Sequence, residues 1–370
     1  MRTPDVRNER GIALVIAIVA LVVIAAIVSG TFFISRVERQ TTSNTVLASQ
    51  AFQAAEAGIQ RTIADWQIGW NTMPVGATTP TIHDVLAANL SADRQISKLN
   101  DRLFLVTSTG SRYGATQTLG AVLRLVPVNV DVQAAVTAGG DVQIGGSTTV
   151  RGEDTPPSNW FCTPEGTLGG IRSSGDVQPN GSDYTLTGSP PADEFDAIVS
   201  PQTFQAPFDE LKTRANITIG AGLYNGMAPT LTATGRCNMA DTKNWGEPWR
   251  LPAGGVVSDC VTYAPIILAT GNIRLQDGRG QGILLVDGDL EIRGGVEFTG
   301  LVIVTGKVKT NGTGSKITGA VLASQVDLQD DSSFLGNPTV SYSACALAYV
   351  LNATALARPL PGRAFAHVYN

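Results

Sequence analysis

Hydrophobic and polar positions change period several times along the chain. Between Ile12 and Ile34 no charged side chain interrupts an apolar run, bounded by Arg10-Gly11 before it and by Arg36, Glu38 and Arg39 after it. A transmembrane helix needs about 20 apolar residues at a rise of roughly 1.5 Å each, so this run is long enough to span a bilayer. A secretory signal peptide has a shorter apolar region of about 7–15 residues, closed by a small-residue cleavage site. Here Phe32, Phe33 and Ile34 close the run. A core helix apolar on every face is the remaining rival. Arg2, Arg7 and Arg10 precede the run, which predicts a cytoplasmic head and an exported remainder; Arg36 and Arg39 weaken that asymmetry.

From residue 35 to about 66 the period is helical. Val37, Leu47, Ala51, Ala54, Ala55, Ile59, Ile63 and Trp66 are spaced so that several share one face. Two partners for that face stand side by side: neighbouring subunits, reached through small residues, or this subunit's own globular part. Residues 67–100, with Pro74, Gly76 and Pro80, read as a connection holding a short helix over Ile82–Leu90. Arg102–Leu125 then reads as a hairpin around Gly110-Ser111-Arg112-Tyr113-Gly114, and Pro127 marks a boundary.

Beyond it lies a repeat. Gly271-Asn272, Gly288-Asp289, Gly306-Lys307 and Ser324-Gln325 follow one another at steps of 17, 18 and 18 residues. A short apolar strand precedes each turn (Ile266–Ala269, Ile283–Val286, Leu301–Val304, Ala320–Ala323) and another follows it. So short a fixed period predicts stacked coils, each pairing with the next, as in a β-helix or β-solenoid. Gly140-Asp141 and Gly175-Asp176 stand two such steps apart, so the coils start near residue 130. Residues 180–260 do not keep the period and read as an insertion, with a helix at Phe208–Arg214. The tail from Cys345 caps the coils or packs along them. The predicted fold class is α+β: a long N-terminal transmembrane helix with a small antiparallel hairpin (12–126), then a mainly-β solenoid (127–370).

Composition agrees with much β structure: 40 glycines, few aromatic and few charged residues. The net charge of −5 and the lack of a basic block exclude nucleic-acid binding as a main function. Cys162, Cys237, Cys260 and Cys345 all lie in the part expected to be exported, where disulfides persist. Four cysteines allow three pairings; proximity favours Cys237–Cys260, leaving Cys162–Cys345, and four buried thiols are the alternative. No C-x-x-C occurs and the chain holds only His83 and His367, so no zinc site and no other cofactor is expected.

Arg10-Gly11 directly before the apolar run resembles the class III signal of type IV pilins and pseudopilins. The stretch Arg36–Gly58, above all Ala51-Phe52-Gln53-Ala54-Ala55-Glu56-Ala57-Gly58, resembles the PilX-type N-terminal domain of type IV pilus assembly proteins. The resemblance implies a leader (1–11) that a prepilin peptidase removes after Gly11, a mature chain starting at Ile12, and an anchor Ile12–Ile34 that holds the subunit in the membrane and among other pilin-like subunits. Phe52 and Glu56 are the helix positions that match the family. One residue departs from the pattern: major pilins carry glutamate at the fifth mature position, and here Ile16 stands there. A buried charge in hydrocarbon needs a partner, so its absence shifts the expectation from shaft subunit to minor or accessory subunit.

For catalysis, β-helix enzymes need paired carboxylates in a groove across coils. Asp287, Asp289 and Glu291 are the first candidates here, and Asp327, Asp330 and Asp331 the second. Aspartate beside glycine also suits turn corners, through side-chain bonds to backbone, and that simpler reading is preferred. Gly278-Arg279-Gly280-Gln281-Gly282 lacks the Lys-Ser pair and the helix of a phosphate loop. Trp160, Trp245 and Trp249 fall in irregular stretches, where aromatics either pack or bind sugars and partners. The sequence therefore predicts a non-enzymatic minor pilin-like assembly subunit, single-pass in the inner membrane. The alternative is a surface-anchored carbohydrate-binding or carbohydrate-active β-helix protein.

Overall fold

The computed structural model describes residues 9–250, 258–311, 314–328, 338–360 and 365–367. The head before Glu9, Asp330, Asp331 and Pro361–Arg363, to which expectations were attached, lie outside these residues. A 56-residue helix, α1 (Glu9–Ala64), leads the chain and spans about 84 Å at 1.5 Å per residue. Every residue from Leu14 to Val46 is exposed. Its last four turns bury Ala51, Ala54, Ala55, Ile59 and Thr62, a stripe at helical spacing.

That stripe lies on an antiparallel sheet built from β1 (Ile82–Ala87), β2 (Leu90–Lys98), β3 (Leu103–Arg112) and β4 (Ala115–Val126). The expected helix over Ile82–Leu90 is replaced by β1 and its hairpin to β2. Asn89, at φ 54°, makes the tight turn, and side chains along β1 alternate between half-buried and exposed. Arg94 Nε donates to Asp84 Oδ2 (2.6 Å) across the pair, binding the two strands by charge. The hairpin of β3 and β4 turns at Tyr113-Gly114, both at positive φ, while Gly110 belongs to β3. Gly110 is needed there: a Cβ would strike the Ala51 carbonyl oxygen and stand 2.5 Å from the Ala55 nitrogen, so only glycine lets α1 lie this close.

The second sheet holds twelve strands, and every ladder within it is parallel. Its first members are β5 (Ala134–Ala138), β6 (Val142–Gly145), β7 (Thr149–Arg151), β8 (Gly169–Ser173), β9 (Val177–Asn180), β10 (Thr185–Thr187) and β11 (Ala192–Asp193). A helix follows, α2 (Pro201–Lys212), then β12 (Ile217–Met227), β13 (Ile266–Val286), β14 (Leu290–Asn311), β15 (Lys316–Leu328) and β16 (Thr339–Tyr342). Within β13–β15 the parallel register advances by 17 to 19 residues from strand to strand: Ile273 faces Leu290, Gly282 faces Gly300, and Gly300 faces Gly319. The α2 helix begins seven residues before the expected Phe208, because Ser200 caps it in a capping box and Pro201 opens it.

Two further expectations need correction. Residues 217–227 are no insertion: Ile217 pairs with Ile267 and Met227 with Gly278, so β12 is the end rung of the parallel stack. The excursion is 228–265. The tail also does more than pack along the coils. Helix α3 (Ala344–Ala353) lies against β13–β15, and then β17 (Leu356–Pro359) and β18 (Phe365–His367) pair antiparallel with β4 in the first sheet.

Turn chemistry aligns between coils. A Cβ on Gly288 would meet Asn272 Oδ1 at 2.5 Å and Gly271 C at 2.8 Å; one on Gly306 would meet Gly288 O at 2.6 Å. Asn272 Oδ1 accepts from Asp289 N–H and Asp289 Oδ1 from Lys307 N–H, each at 2.8 Å, so the corner side chains satisfy the backbone of the next coil. The apolar runs before these turns are buried on both sides. Ile267, Leu284, Val302 and Val321 face the interior, whereas Ile266, Ile283, Leu285, Leu301 and Ile303 meet Phe204, Phe208 and Leu211 of α2 and Leu347 and Val350 of α3. A parallel strand covered on both faces reads as a continuous apolar run, as these four do.

Candidate functional site: the assembly helix and a braced cleft

Two features carry functional chemistry. The first is α1. Its exposed half has a mean hydropathy of 2.9 over the most apolar window, and no residue of that window is buried. Leu14, Ile16, Leu21, Phe32 and Phe33 are each more than 60% exposed, far more contiguous apolar surface than water-facing proteins leave bare. Gly11 and Ile12 lie inside the backbone of α1, in its first turn. The last four turns are committed to this subunit: Ala55 and Ile59 join Phe104, Val106, Leu119 and Leu123 in one core. A Cβ on Gly58 would collide with Ser108 Oγ. Phe52 packs partly against this core, and Glu56 is half-buried beside it. Of the two partners weighed for the helical stripe, the subunit's own sheet takes this one.

The first unit is tied to the rest by Asn71. Its Nδ2 donates to the carbonyls of Asn352 (3.1 Å), Ala353 (2.8 Å) and Ala355 (2.8 Å), and its Oδ1 accepts from Trp66 Nε1 (2.7 Å). These bonds join the first unit to carbonyls at the C-terminal end of α3 and just beyond it. Nearby, Lys98 Nζ donates to Asn71 O (2.7 Å), and burial pushes the Lys98 pKa down despite Asp101.

Both disulfides are formed, Cys237–Cys260, which proximity favoured, and Cys162–Cys345, the pair that this left. Cys237 and Cys260 (Cα–Cα 4.8 Å) close the excursion after β12, and Asn244 Nδ2 lies 3.4 Å from each sulfur. Cys162 and Cys345 (Cα–Cα 6.3 Å) fasten the loop after β7 to the start of α3.

The first carboxylate candidates are engaged in structural contacts. Asp287 accepts from Lys212 Nζ (2.8 Å), which raises the Lys212 pKa. Asp289 caps Lys307, and Glu291 lies between Arg274 and Arg293, at 2.6 Å from each. Asp327 pairs with Lys307 (2.9 Å). Among the described residues no cluster of His, Cys, Asp and Glu has the arrangement to hold a metal.

The second feature is a cleft of about 300 Å³ on the polar side of the coils. Its floor is Glu297 and Thr299 of β14 beside Lys316 and Thr318 of β15, which the register sets opposite one another. One wall is Pro157-Ser158-Asn159 and the other Pro248-Trp249. The walls are cross-braced: Trp160 Nε1 donates to Pro248 O (2.8 Å), and the Arg250 guanidinium sits 4.1 Å from the Trp160 ring centroid and 4.5 Å from that of Tyr349. The Cys162–Cys345 bridge ties the loop that carries the first wall to the start of α3. Glu247, buried, takes a two-pronged bond from Arg279 (2.9 Å at each oxygen), and Arg279 in turn stacks on Trp249 at 4.3 Å. Trp249 Nε1 donates to Glu297 Oε2 (2.8 Å). Of the three tryptophans singled out in the sequence, Trp245 is core, edge-on to Phe298, and Trp160 is a brace. Trp249 alone of the three is notably exposed, at 43%. The floor residues went unnoticed in the sequence, although Glu297-Phe298-Thr299 and Lys316-Ile317-Thr318 carry the polar–apolar–polar alternation of strands with one wet face.

Residues 10–60 match the family model described as PilX N-terminal. The matched segment coincides with α1, from its first residues to the last turn on the sheet. Among solved structures, the competence-associated pilin ComZ from Thermus thermophilus aligns with 13% identity over 88% of this chain and 98% of that one, at a TM-score of 0.23. A TM-score so low supports no inference about the fold. No curated protein matches the chain. The matched segment is thus similar to the PilX N-terminal domain, and it contains a helix long and apolar enough to cross a membrane once.

Proposed function

We propose that this chain is a minor, non-enzymatic pilin-like assembly subunit of a type IV pilus or related secretion filament, displaying a β-solenoid. The observation that carries the proposal is the split of α1. The PilX-matched helix is wholly bare from Leu14 to Val46, and from Ala51 on it buries one face against its own sheet. A helix that needs apolar surroundings at one end and carries a folded head at the other fits a subunit held first in a bilayer and then among the helices of a filament. Two disulfides support an exported head, since such bonds persist outside the cytosol. The aligned glycine corners and the advance of 17 to 19 residues from strand to strand support the solenoid. Ile16, 62% exposed at the position where shaft subunits carry glutamate, supports a minor place in the filament.

The decisive measurement is mass spectrometry of the N-terminus from cells with and without prepilin peptidase. A chain starting at Ile12 that disappears from the peptidase mutant is the expected result. Intact Met1 in both strains would refute the reading.

A further inference from the structure

We infer that the cleft between Trp249 and Asn159 is a binding site for an uncharged oligosaccharide. The inference stands on the cleft alone and does not depend on how the subunit is anchored. Four features of the cleft converge on that ligand class.

The first is bracing. A hydrogen bond from Trp160, an arginine held between two aromatic rings and a disulfide all keep the two walls in place. Walls ordered before binding remove the entropic cost a mobile site would add. The second is the indole. Trp249 is oriented by Arg279 on its ring and by Glu297 on its nitrogen, yet stays 43% exposed at the cleft edge. A large apolar ring held open to water and rimmed by hydrogen-bonding groups suits the apolar C–H face of a pyranose, with its hydroxyls turned to the rim.

The third is the floor. Thr299 and Thr318 lie side by side with hydroxyls that both donate and accept, flanked by a carboxylate acceptor (Glu297) and an ammonium donor (Lys316). Vicinal hydroxyls need donors and acceptors in alternation, and the floor supplies both. The fourth is charge. The cleft lining holds one acid and one base, and the neighbouring Arg279 is neutralised by the buried Glu247. An anionic or cationic ligand gains nothing here over water, so the site selects for neutrality.

The test uses the detergent-solubilised full chain. Maltotriose, cellotriose and chitotriose are the neutral probes and trigalacturonate the charged one; tryptophan emission and the indole N–H signal of Trp249 are the readouts. At least one neutral trisaccharide should shift both signals with a Kd of about 1 mM or tighter, and trigalacturonate should not. Trp249→Ala should weaken that binding by about tenfold or more. Thr318→Val, which keeps the shape of a buried side chain and removes only its hydroxyl, should weaken it by roughly three- to tenfold. Circular dichroism of each variant separates lost binding from lost folding. The inference is overturned if no neutral trisaccharide shifts the signals at about 20 mM, if trigalacturonate alone does so, or if folded Trp249→Ala and Thr318→Val bind like the parent. None of these outcomes touches the N-terminal processing that tests the filament reading.

Discussion

Gly319→Ala isolates the cost of a coil corner. Gly319 sits at φ 145°, and a Cβ there would run into the Gly300 carbonyl, standing 2.7 Å from its carbon and 3.1 Å from Gly300 Cα. Gly300 lies one coil away at φ 139°, with Gly282 (φ 124°) beyond it, so the obstacle is a column of backbone and no side chain can swing aside. Two costs add. An L-residue at this φ is strained by about 1–3 kcal/mol. Moving the strand to relieve the clash weakens the ladder that joins Gly319 to Gly300 on one side and to Tyr342 on the other; each lost bond costs about 0.5–1.5 kcal/mol. With about one bond lost on each side, the sum is about 2–6 kcal/mol. Two glycines serve as internal controls. Gly222 shares the positive φ (150°) but has nothing within 4 Å, so Gly222→Ala carries the strain alone, about 1–3 kcal/mol. Gly220 is open and not at positive φ, so Gly220→Ala should be neutral or stabilise by up to about 1 kcal/mol. Thermal unfolding of the three variants in detergent should rank them Gly220, Gly222, Gly319. The last should fall by about 10 °C, taking roughly 2–4 °C per kcal/mol for a unit of this size. Hydrogen exchange in peptides covering 316–328 should rise most in Gly319→Ala. If Gly319→Ala costs no more than Gly222→Ala, the packed-column argument is wrong.

Asp289→Ala removes the acceptor of the Lys307 N–H and should destabilise by about 1 kcal/mol, with guanidinium unfolding as the check. Cys162→Ser should destabilise more than Cys237→Ser, since loops of 183 and 23 residues give chain-entropy contributions of about 5 and about 3 kcal/mol; calorimetry of the two variants decides. Burial pushes the Tyr263 hydroxyl up to about 12 from its ordinary 10, so the folded chain keeps a proton that the unfolded chain loses. That contribution is complete below pH 10 and is lost as pH rises toward about 12; subtracting the unfolding midpoints of Tyr263→Phe from those of the parent over pH 9–12 should expose it. Gly110→Ala should lift the last four turns of α1 from the sheet, read as faster hydrogen exchange over 51–62 while peptides from the parallel sheet stay unchanged.

Which parts of this architecture could be read from the sequence follows from where each constraint acts. The corner residues were legible because a coil corner demands glycine or a side chain that bonds backbone, and that demand recurs at every turn: Gly271-Asn272, Gly288-Asp289 and Gly306-Lys307 form one column. The order of coils was not. β15 pairs with β5 and β6, so the strands of residues 134–193 lie beyond β15 in the sheet, and β12, after α2, pairs with β13 at the opposite end. A search for a short period sees only neighbours one coil apart, and β12 stands 50 residues from its partner, across an excursion closed by Cys237–Cys260. The return of β17 to β4 was hidden in the same way: a four-residue strand ending in Pro359 has the signature of an edge, and an edge does not name its sheet. The cleft combines both cases. The alternation along Glu297-Phe298-Thr299 and Lys316-Ile317-Thr318 passed unnoticed, because only the register Glu297↔Lys316 makes these residues one floor and only the Trp160 and Arg250 contacts join the walls across it. Local chemistry therefore marks the corners and the faces, while the site exists only where distant coils and loops meet. That is why Trp160 and Trp249, in irregular stretches, were its visible traces in the sequence.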